Sequence, residues 1–438
     1  MKQRSSTVVF KPSPPRKVRT IAAVLAAVVS LGVAGCGSPA ADDSVTLRFN
    51  WWGSDARHAQ TQQVIERFEE AHPNIKVQPE FSNFSDYFNK LSTSAASRDL
   101  PDVMQMTDPH LYTYIDNGQL VDLGKHSDVL PTGDFSEASL AGTQIDGGLY
   151  GIPTGDSGFG MAVNPALFEK AGVPLPDDNT WTWDEFKDTA AAISKALPDV
   201  AGTSITMDEQ TMNLWIRQHG EDYWKNGGSE IGFTAETAAS WWEFVRSLRD
   251  SGGTQPVEAE LESASLALEQ SPLALGKKAM TLISVNQLGN LEKAAGQEFK
   301  LFRLPGEQQF KAEGGWTKPG IYYSVAANSE HPKEAAMLID FLTHAPEAGE
   351  IVKFDRGVPS SSKMLEAITP SLTPVEGRVA EYVTRINELG TPAYAIPHPK
   401  AGGVLIDTVK RLSQEVVFDR MTPRQAADQL LADVKAAM

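Results

Sequence analysis

The sequence predicts an α/β protein of two lobes, each built on a mostly parallel sheet flanked by helices. Three observations carry that expectation. Strand and helix patterns alternate in the order β-α-β-α-β between residues 45 and 106, and such alternation packs as a parallel sheet covered on both faces. The 403 residues that follow residue 35 exceed what one hydrophobic core supports. A helix-rich middle third, with tryptophans at 215, 224, 241 and 242, separates this opening from a strand and helix at 321–342 that resemble a return to the first sheet.

The N-terminal 35 residues contain Lys2, Arg4, Lys11, Arg16, Lys17 and Arg19, no acidic residue, and an uncharged stretch from Ile21 to Gly35. That pattern is a secretory signal, and the stretch is shorter than the roughly 20 residues a membrane-spanning helix needs. It ends Leu31-Gly32-Val33-Ala34-Gly35-Cys36, which resembles the bacterial lipobox, so Cys36 is the expected lipid-attachment residue. A cysteine carrying a diacylglycerol and an N-acyl chain anchors stably where one chain alone does not. Residues 36–44 are small, polar and acidic, a flexible tether. Cys36 is the only cysteine, so no intramolecular disulfide can form and stability rests on ordinary cores.

The chain carries 39 Lys and Arg against 56 Asp and Glu, and removing the signal leaves a net charge near −23. Nucleic acid is excluded as a partner by the absence of any basic stripe.

From Val45 to Trp51 the residues alternate as a strand, and Arg57 to His72 places Val64, Ile65 and Phe68 on one helical face. Lys76 to Phe81 reads as a strand, Asp86 to Ser97 as a helix and Asp102 to Met106 as a buried strand. Ligands meet such sheets at the carboxyl ends of the strands. Trp52, Gly53 and Asp55 follow the first strand, Phe84 the second, and Thr107, Asp108 and His110 the third.

Tyr150 to Asn164 is apolar and glycine-rich, with Gly155, Gly158 and Gly160 able to absorb backbone rotation. Helices follow at Pro165 to Ala171 and Trp183 to Leu197, the latter opened by a Thr182/Glu185 capping box; Thr422 and Gln425 form another around Pro423. Strands are expected at Ala279 to Val285, Lys300 to Leu304 and Ile321 to Ala327, with Gly314-Gly315-Trp316 before the last and a helix at Pro332 to Leu342 after it. There is no internal repeat.

Taken in order, WWGSDAR, FEEAHPNIKV, PDVMQM with NGQLVDL, LYGIP, KKAMTLI, SEHPKEAAMLIDFLT and FDRGVPSS resemble the extracellular solute-binding proteins of bacterial ABC-type sugar importers, the maltose-binding-protein-like family, in lipoprotein form. The resemblance implies a periplasmic-binding-protein fold whose two lobes hinge around a cleft, close on a carbohydrate and present it to transmembrane permease subunits, the protein itself a monomer on the outer face of the cytoplasmic membrane. It implies lobe 1 at 45–154 and 322–353, lobe 2 at 155–321 and 354–438, and crossings near 153–160, 316–322 and 353–359.

A sugar offers apolar C–H faces and a rim of hydroxyls, so its site needs aromatic platforms beside charged or amide groups. On the first lobe Trp52 is the expected platform, Trp51 pointing the other way into the core. Asp55 caps the helix near Arg57 or contacts sugar; Arg57 is badly placed for the helix dipole and so wants a partner or ligand. Asp108 is the strongest candidate, with helix capping as its alternative, and Phe84 and Tyr112 wall the same space or pack in the core. On the other side Asp156, Asn286 and Trp316 are candidates. Relatives place an aromatic platform near Asn286, so the resemblance shifts that role to Trp316 or Trp215. Arg356 matches an arginine many relatives carry before a Gly-Val/Ile-Pro turn, with a hinge salt bridge as its alternative.

Enzymatic readings are weaker. Gly155-Asp156-Ser157-Gly158 looks like a serine-protease loop but lacks the rest of that machinery. A glycoside hydrolase needs two facing carboxylates, a matter of distance. No H-E-x-x-H or G-x-x-x-x-G-K-[ST] motif is present, so neither metal nor cofactor is expected. A sensing lipoprotein of the same fold is the remaining alternative. Replacing Cys36→Ser is expected to abolish fatty-acid labelling and move the protein from membranes to medium; retention of label would refute the anchor.

Overall fold

The computed structural model describes residues 44–438 apart from Thr206, Met207, Ala264, Ser265, Thr391, Pro392 and Pro399. The signal segment, Cys36 and the tether up to residue 43 lie outside the described residues. Alternating side chains make the first strand, Val45–Trp52, which pairs in parallel with Ile75–Ser82 on one side and Val103–Met106 on the other. Tyr322–Val325 joins antiparallel to Val103–Met106, and Ile152–Pro153 closes the far edge. The late strand therefore does return to the first sheet.

One face of this sheet packs Leu47, Phe49 and Trp51 against Val64, Ile65 and Phe68 of the helix Asp55–Ala71, and against Ala335, Leu338 and Ile339 of the helix Pro332–His344. Buried Thr61, Val64, Ile65 and Phe68 recur at the three- and four-residue spacing that lines one helical face. The opposite face packs Met104 and Met106 against Tyr87 and Leu91 of the helix Phe84–Ser97.

The second lobe departs from the parallel expectation. Its central strand is Asp156–Val163, inside the glycine-rich stretch, and all three neighbours, Met280–Ser284, Lys300–Phe302 and Thr317–Pro319, run antiparallel to it. All three neighbours come from beyond the helical middle of the chain, so their direction is a tertiary matter that local periodicity does not encode. Around it, Trp183, Phe186, Trp241 and Trp242 fill a helical core closed by the two last helices, Ala401–Val417 and Pro423–Ala437. The Thr182/Glu185 and Thr422/Gln425 capping boxes both form, and a third, Thr373/Glu376, opens the helix Pro374–Glu388. The short helix Ser362–Ile368 bridges the lobes: Met364 belongs to the first core, while Leu365 packs against the second lobe's smaller cluster.

Three segments cross between the lobes side by side. The Asp156 amide donates to Val358 O at 2.7 Å and the Val358 amide to Asp156 O at 2.9 Å, while Asp156 pairs with Pro319 on its other flank. The approach is so close that a Cβ on Gly155 would lie 2.7 Å from the Arg356 carbonyl oxygen, and Gly357 has a left-handed φ of 105°.

At their meeting point the Asp156 carboxylate is buried. It accepts from Ser139 Oγ at 2.9 and 3.1 Å, Ser360 Oγ at 2.9 Å and Asn387 Nδ2 at 3.2 Å. Ser139 sits on a first-lobe helix, Glu137–Ala141, and Asn387 on the second-lobe helix Pro374–Glu388. Asn387 in turn accepts from the Thr317 hydroxyl of the second crossing. Burial raises the carboxyl pKa, and these donors oppose it only in part.

Two outcomes follow from this junction. Gly155→Ala is expected to lower stability by about 1–3 kcal/mol, the usual range for overpacking, read as a urea midpoint shift at constant slope. Because the folded-state pKa of Asp156 is raised, the native protein holds that proton longer, and stability falls as pH climbs from the ordinary aspartate range through the folded value. The stability of Asp156→Asn relative to the parent protein should therefore rise as pH climbs above the ordinary aspartate range, and a difference that ignores pH would contradict the assignment.

Candidate functional site

The carboxyl end of the first strand places Trp51 and Trp52 on opposite faces, and both indoles are buried. Trp52, 6 % exposed, is walled by Tyr87 at 5.0 Å, Phe88 at 5.5 Å and Phe84 at 5.5 Å. The expected platform is thus under Phe84, whose ring stands 56 % exposed above it. Sequence could not separate the two because both lie at strand ends.

Asp55 is exposed in the first turn of its helix, where a carboxylate suits the dipole. The cap itself is Ser54, which accepts from the Arg57 amide. Arg57 has a partner: its Nε meets Asp355 Oδ2 at 2.7 Å and its Nη2 the Asp355 carbonyl at 2.8 Å. Arg356 is 7 % exposed and donates to Thr61 at 2.7 Å, Gln105 at 3.2 Å and Asp355 at 3.2 Å. Both arginines tie the third crossing to the first lobe.

Asp108 opens the helix Asp108–Asp116. Thr107 holds the cap position, but its hydroxyl meets His110 Nδ1 at 3.0 Å. One Asp108 oxygen, Oδ2, receives Lys318 Nζ at 3.0 Å; the other, Oδ1, is buried without a hydrogen bond. The Lys318 ammonium also lies 4.6 Å over the ring of Tyr394. Lys318 belongs to the crossing strand Thr317–Pro319 that pairs with the second lobe, so this ion pair spans the lobes.

A small cavity of about 20 Å³ opens at the pair, lined also by Tyr112, Tyr322, Tyr394 and Pro397. Burial, and then the Asp108 charge, push up the phenols of Tyr112 and Tyr322, and burial lifts Tyr394 to about 12. All three are protonated at neutral pH and can donate or accept. The Tyr322 hydroxyl donates to Pro319 O at 3.3 Å and lies within reach of the Asp108 carboxylate, so it can serve either acceptor.

Trp316 borders this region, its ring 5.7 Å from Tyr394 and 6.4 Å from Phe159. With Phe159, Gln210, Leu282 and Gly315 it lines a second, more apolar cavity of about 10 Å³. The loop that presents it is held by Glu307, a buried carboxylate that accepts from the Gly314 and Gly315 amides at 3.1 Å, Gln218 at 3.0 Å and Arg303 at 3.1 Å. At Gly314 a Cβ would strike the Leu214 carbonyl at 2.6 Å.

Trp215 sits elsewhere. Its faces stack on Phe244 at 5.4 Å and His219 at 5.2 Å, and its N–H donates to Ser240, so it belongs to the second-lobe core. Asn286 is exposed on the turn after its strand and accepts from Ser284 Oγ at 2.8 Å. Ser157, of the protease-like tetrapeptide, faces the Ser284 hydroxyl at 3.5 Å, and the neighbouring Asp156 is spent on the hinge. Among the described residues no group of three or more His, Cys, Asp or Glu is arranged to hold a metal.

Of the expected site residues, the structure brings Asp108 and Tyr112 together at this cavity, while Trp316, buried in the second-lobe core with the Arg217 guanidinium 5.6 Å over its ring, lies behind Tyr394. Sequence reasoning missed Lys318 and Tyr394. The first carries a weak signal, two positions after Trp316 in a crossing; the second lies in an irregular stretch with no periodicity to orient it.

Comparison with known proteins agrees with this architecture. Residues 63–373 match the family model described as bacterial extracellular solute-binding protein. A lipoprotein of uncharacterized function from the oleD 5′ region of Streptomyces antibioticus is 25 % identical over 409 residues, spanning 86 % of this chain and 88 % of that one. An extracellular solute-binding protein, family 1, from Alicyclobacillus acidocaldarius is 28 % identical with a TM-score of 0.79, covering 90 % of this chain and 98 % of its own. A periplasmic oligogalacturonide-binding protein from Yersinia enterocolitica shares the fold, at 22 % identity, TM-score 0.76, and coverage of 90 % and 100 %. The family match spans most of the chain and the two-lobed fold accompanies it: the protein belongs to the bacterial extracellular solute-binding proteins.

Proposed function

We propose that this protein captures a carbohydrate outside the cell by hinge closure and delivers it to the permease of an ABC-type importer, held at the membrane by a lipid on Cys36. The observation that carries the reading is the interlobe cavity, where a buried, unsatisfied Asp108 oxygen faces protonated phenols and the Tyr394 ring beside Trp316. A carboxylate oxygen buried without a donor is unfavourable; a sugar hydroxyl supplies the donor while its C–H face lies on an aromatic ring. Contacts from Asp108 on one lobe and Tyr394 on the other give the ligand differential affinity for the closed form. The oligogalacturonide named for the Yersinia protein supports the sugar class.

Hydrolysis is the weaker reading. A glycosidase sets two carboxyl groups across the bond it cleaves, and Asp108 is the one carboxylate among the described residues lining the cavity.

A thermal-shift screen of mono- and oligosaccharides tests the reading, since a ligand at 100 times its dissociation constant adds about 2.7 kcal/mol. Asp108→Ala is expected to weaken the responding sugar about tenfold or more while the unliganded protein stays folded. A melting temperature raised by an amino acid or peptide and by no sugar would overturn it, and sugar uptake unchanged in a strain lacking the protein would remove the importer role.

A further inference from the structure

We infer that the Asp108–Lys318 pair sets the charge class of the ligand: the cavity takes an uncharged sugar and turns away the corresponding uronic acid. This rests on the carbohydrate reading and narrows it. Asp108 and Lys318 are the two charged groups among the described residues lining the cavity; the rest are phenols, small or apolar side chains and backbone. At 3.0 Å they neutralise one another, so the cavity has no net charge to offer an ion.

The two partners are not equivalent. The Asp108 side chain is 16 % exposed and fixed in the first turn of its helix, whereas Lys318 is 41 % exposed on a long flexible stem. The deeper charge is the anion, and its Oδ1 makes no hydrogen bond in this arrangement. A hydroxyl donating to Oδ1 completes that carboxylate with Lys318 still on Oδ2, and no charge is added. A sugar carboxylate must lie near Asp108 as a like charge, or draw the ammonium away and leave Asp108 with both oxygens unpaired. Leaving one member of a partly buried pair uncompensated is strongly unfavourable. An amino sugar brings a cation to an anion that already holds a tethered one, over an aromatic face already occupied at 4.6 Å.

Lys318 and Asp108 are therefore specificity determinants acting together, and removing either should admit the ion it excludes. The test is calorimetric titration of the mature chain with matched triads: glucose, glucuronic acid and glucosamine; galactose, galacturonic acid and galactosamine; and short oligomers of each. In whichever triad binds, the neutral sugar is expected to exceed the uronic acid by tenfold or more. Asp108→Asn leaves Lys318 alone and should move the uronate-to-neutral affinity ratio at least tenfold toward the uronate. Lys318→Met leaves Asp108 alone and should move the amine-to-neutral ratio the same way toward the amine. Ratios within one variant are insensitive to a general loss of stability, and either variant suffices should the other fail to fold. A parent protein that binds the uronic acid or amino sugar as well as the neutral form, or ratios unmoved by the substitutions, would overturn the inference and leave the carbohydrate reading standing. Silence of every triad toward the parent protein would overturn both.

Discussion

Everything in this molecule passes through the point where three chain crossings lie within hydrogen-bonding distance of one another. Asp156 pairs through its backbone with Val358 on one flank and Pro319 on the other, and there is no room for a side chain at Gly155. The proposed hinge closure turns two cores about this point, and apolar contacts packed across it would shear. A small polar junction avoids that conflict. Hydroxyls of Ser139 and Ser360 re-aim by rotating about one bond, so the buried Asp156 carboxylate can keep its donors through a rotation that would break a fixed fork of guanidinium bonds.

The same junction aims the cleft. The second crossing carries Trp316, Thr317 and Lys318 in succession, so whatever fixes its register also fixes a ring, a hinge hydrogen bond and the cation facing Asp108. The third crossing is fixed from the first lobe instead: Arg57 and Arg356 converge on Asp355, and Arg356 reaches inward to Gln105 and Thr61. These two arginines are thereby consumed in holding one side of the hinge to the first lobe.

How far the sequence was legible follows from which forces decide each feature. The first strand, its helix at 55–71 and the capping boxes at Thr182 and Thr422 are local matters of periodicity and backbone donors, and they were readable. Strand direction in the second lobe was not, because all three partners of Asp156–Val163 are distant from it in sequence. The site divided the same way. Asp108 was legible from its place after a buried strand, but Trp52, Arg57 and Arg356 offered chemistry suited to a sugar and are absorbed by neighbours distant in sequence, such as Asp355, 298 residues beyond Arg57. An aromatic or an arginine near a strand end announces that it has a partner; which partner is a tertiary fact.

The two buried carboxylates beside the cleft show what the fold does with that freedom. Burial raises the pKa of both. Glu307 is met by Arg303 and by the paired amides of Gly314 and Gly315, a charged and geometrically fixed set that locks the loop presenting Trp316. Asp156 is met only by side-chain hydroxyls and an amide drawn from both lobes. The rigid set and the rotatable one lie at the two ends of a single short strand, Thr317–Pro319, so its register is held by the second lobe at Trp316 and shared between the lobes at Asp156.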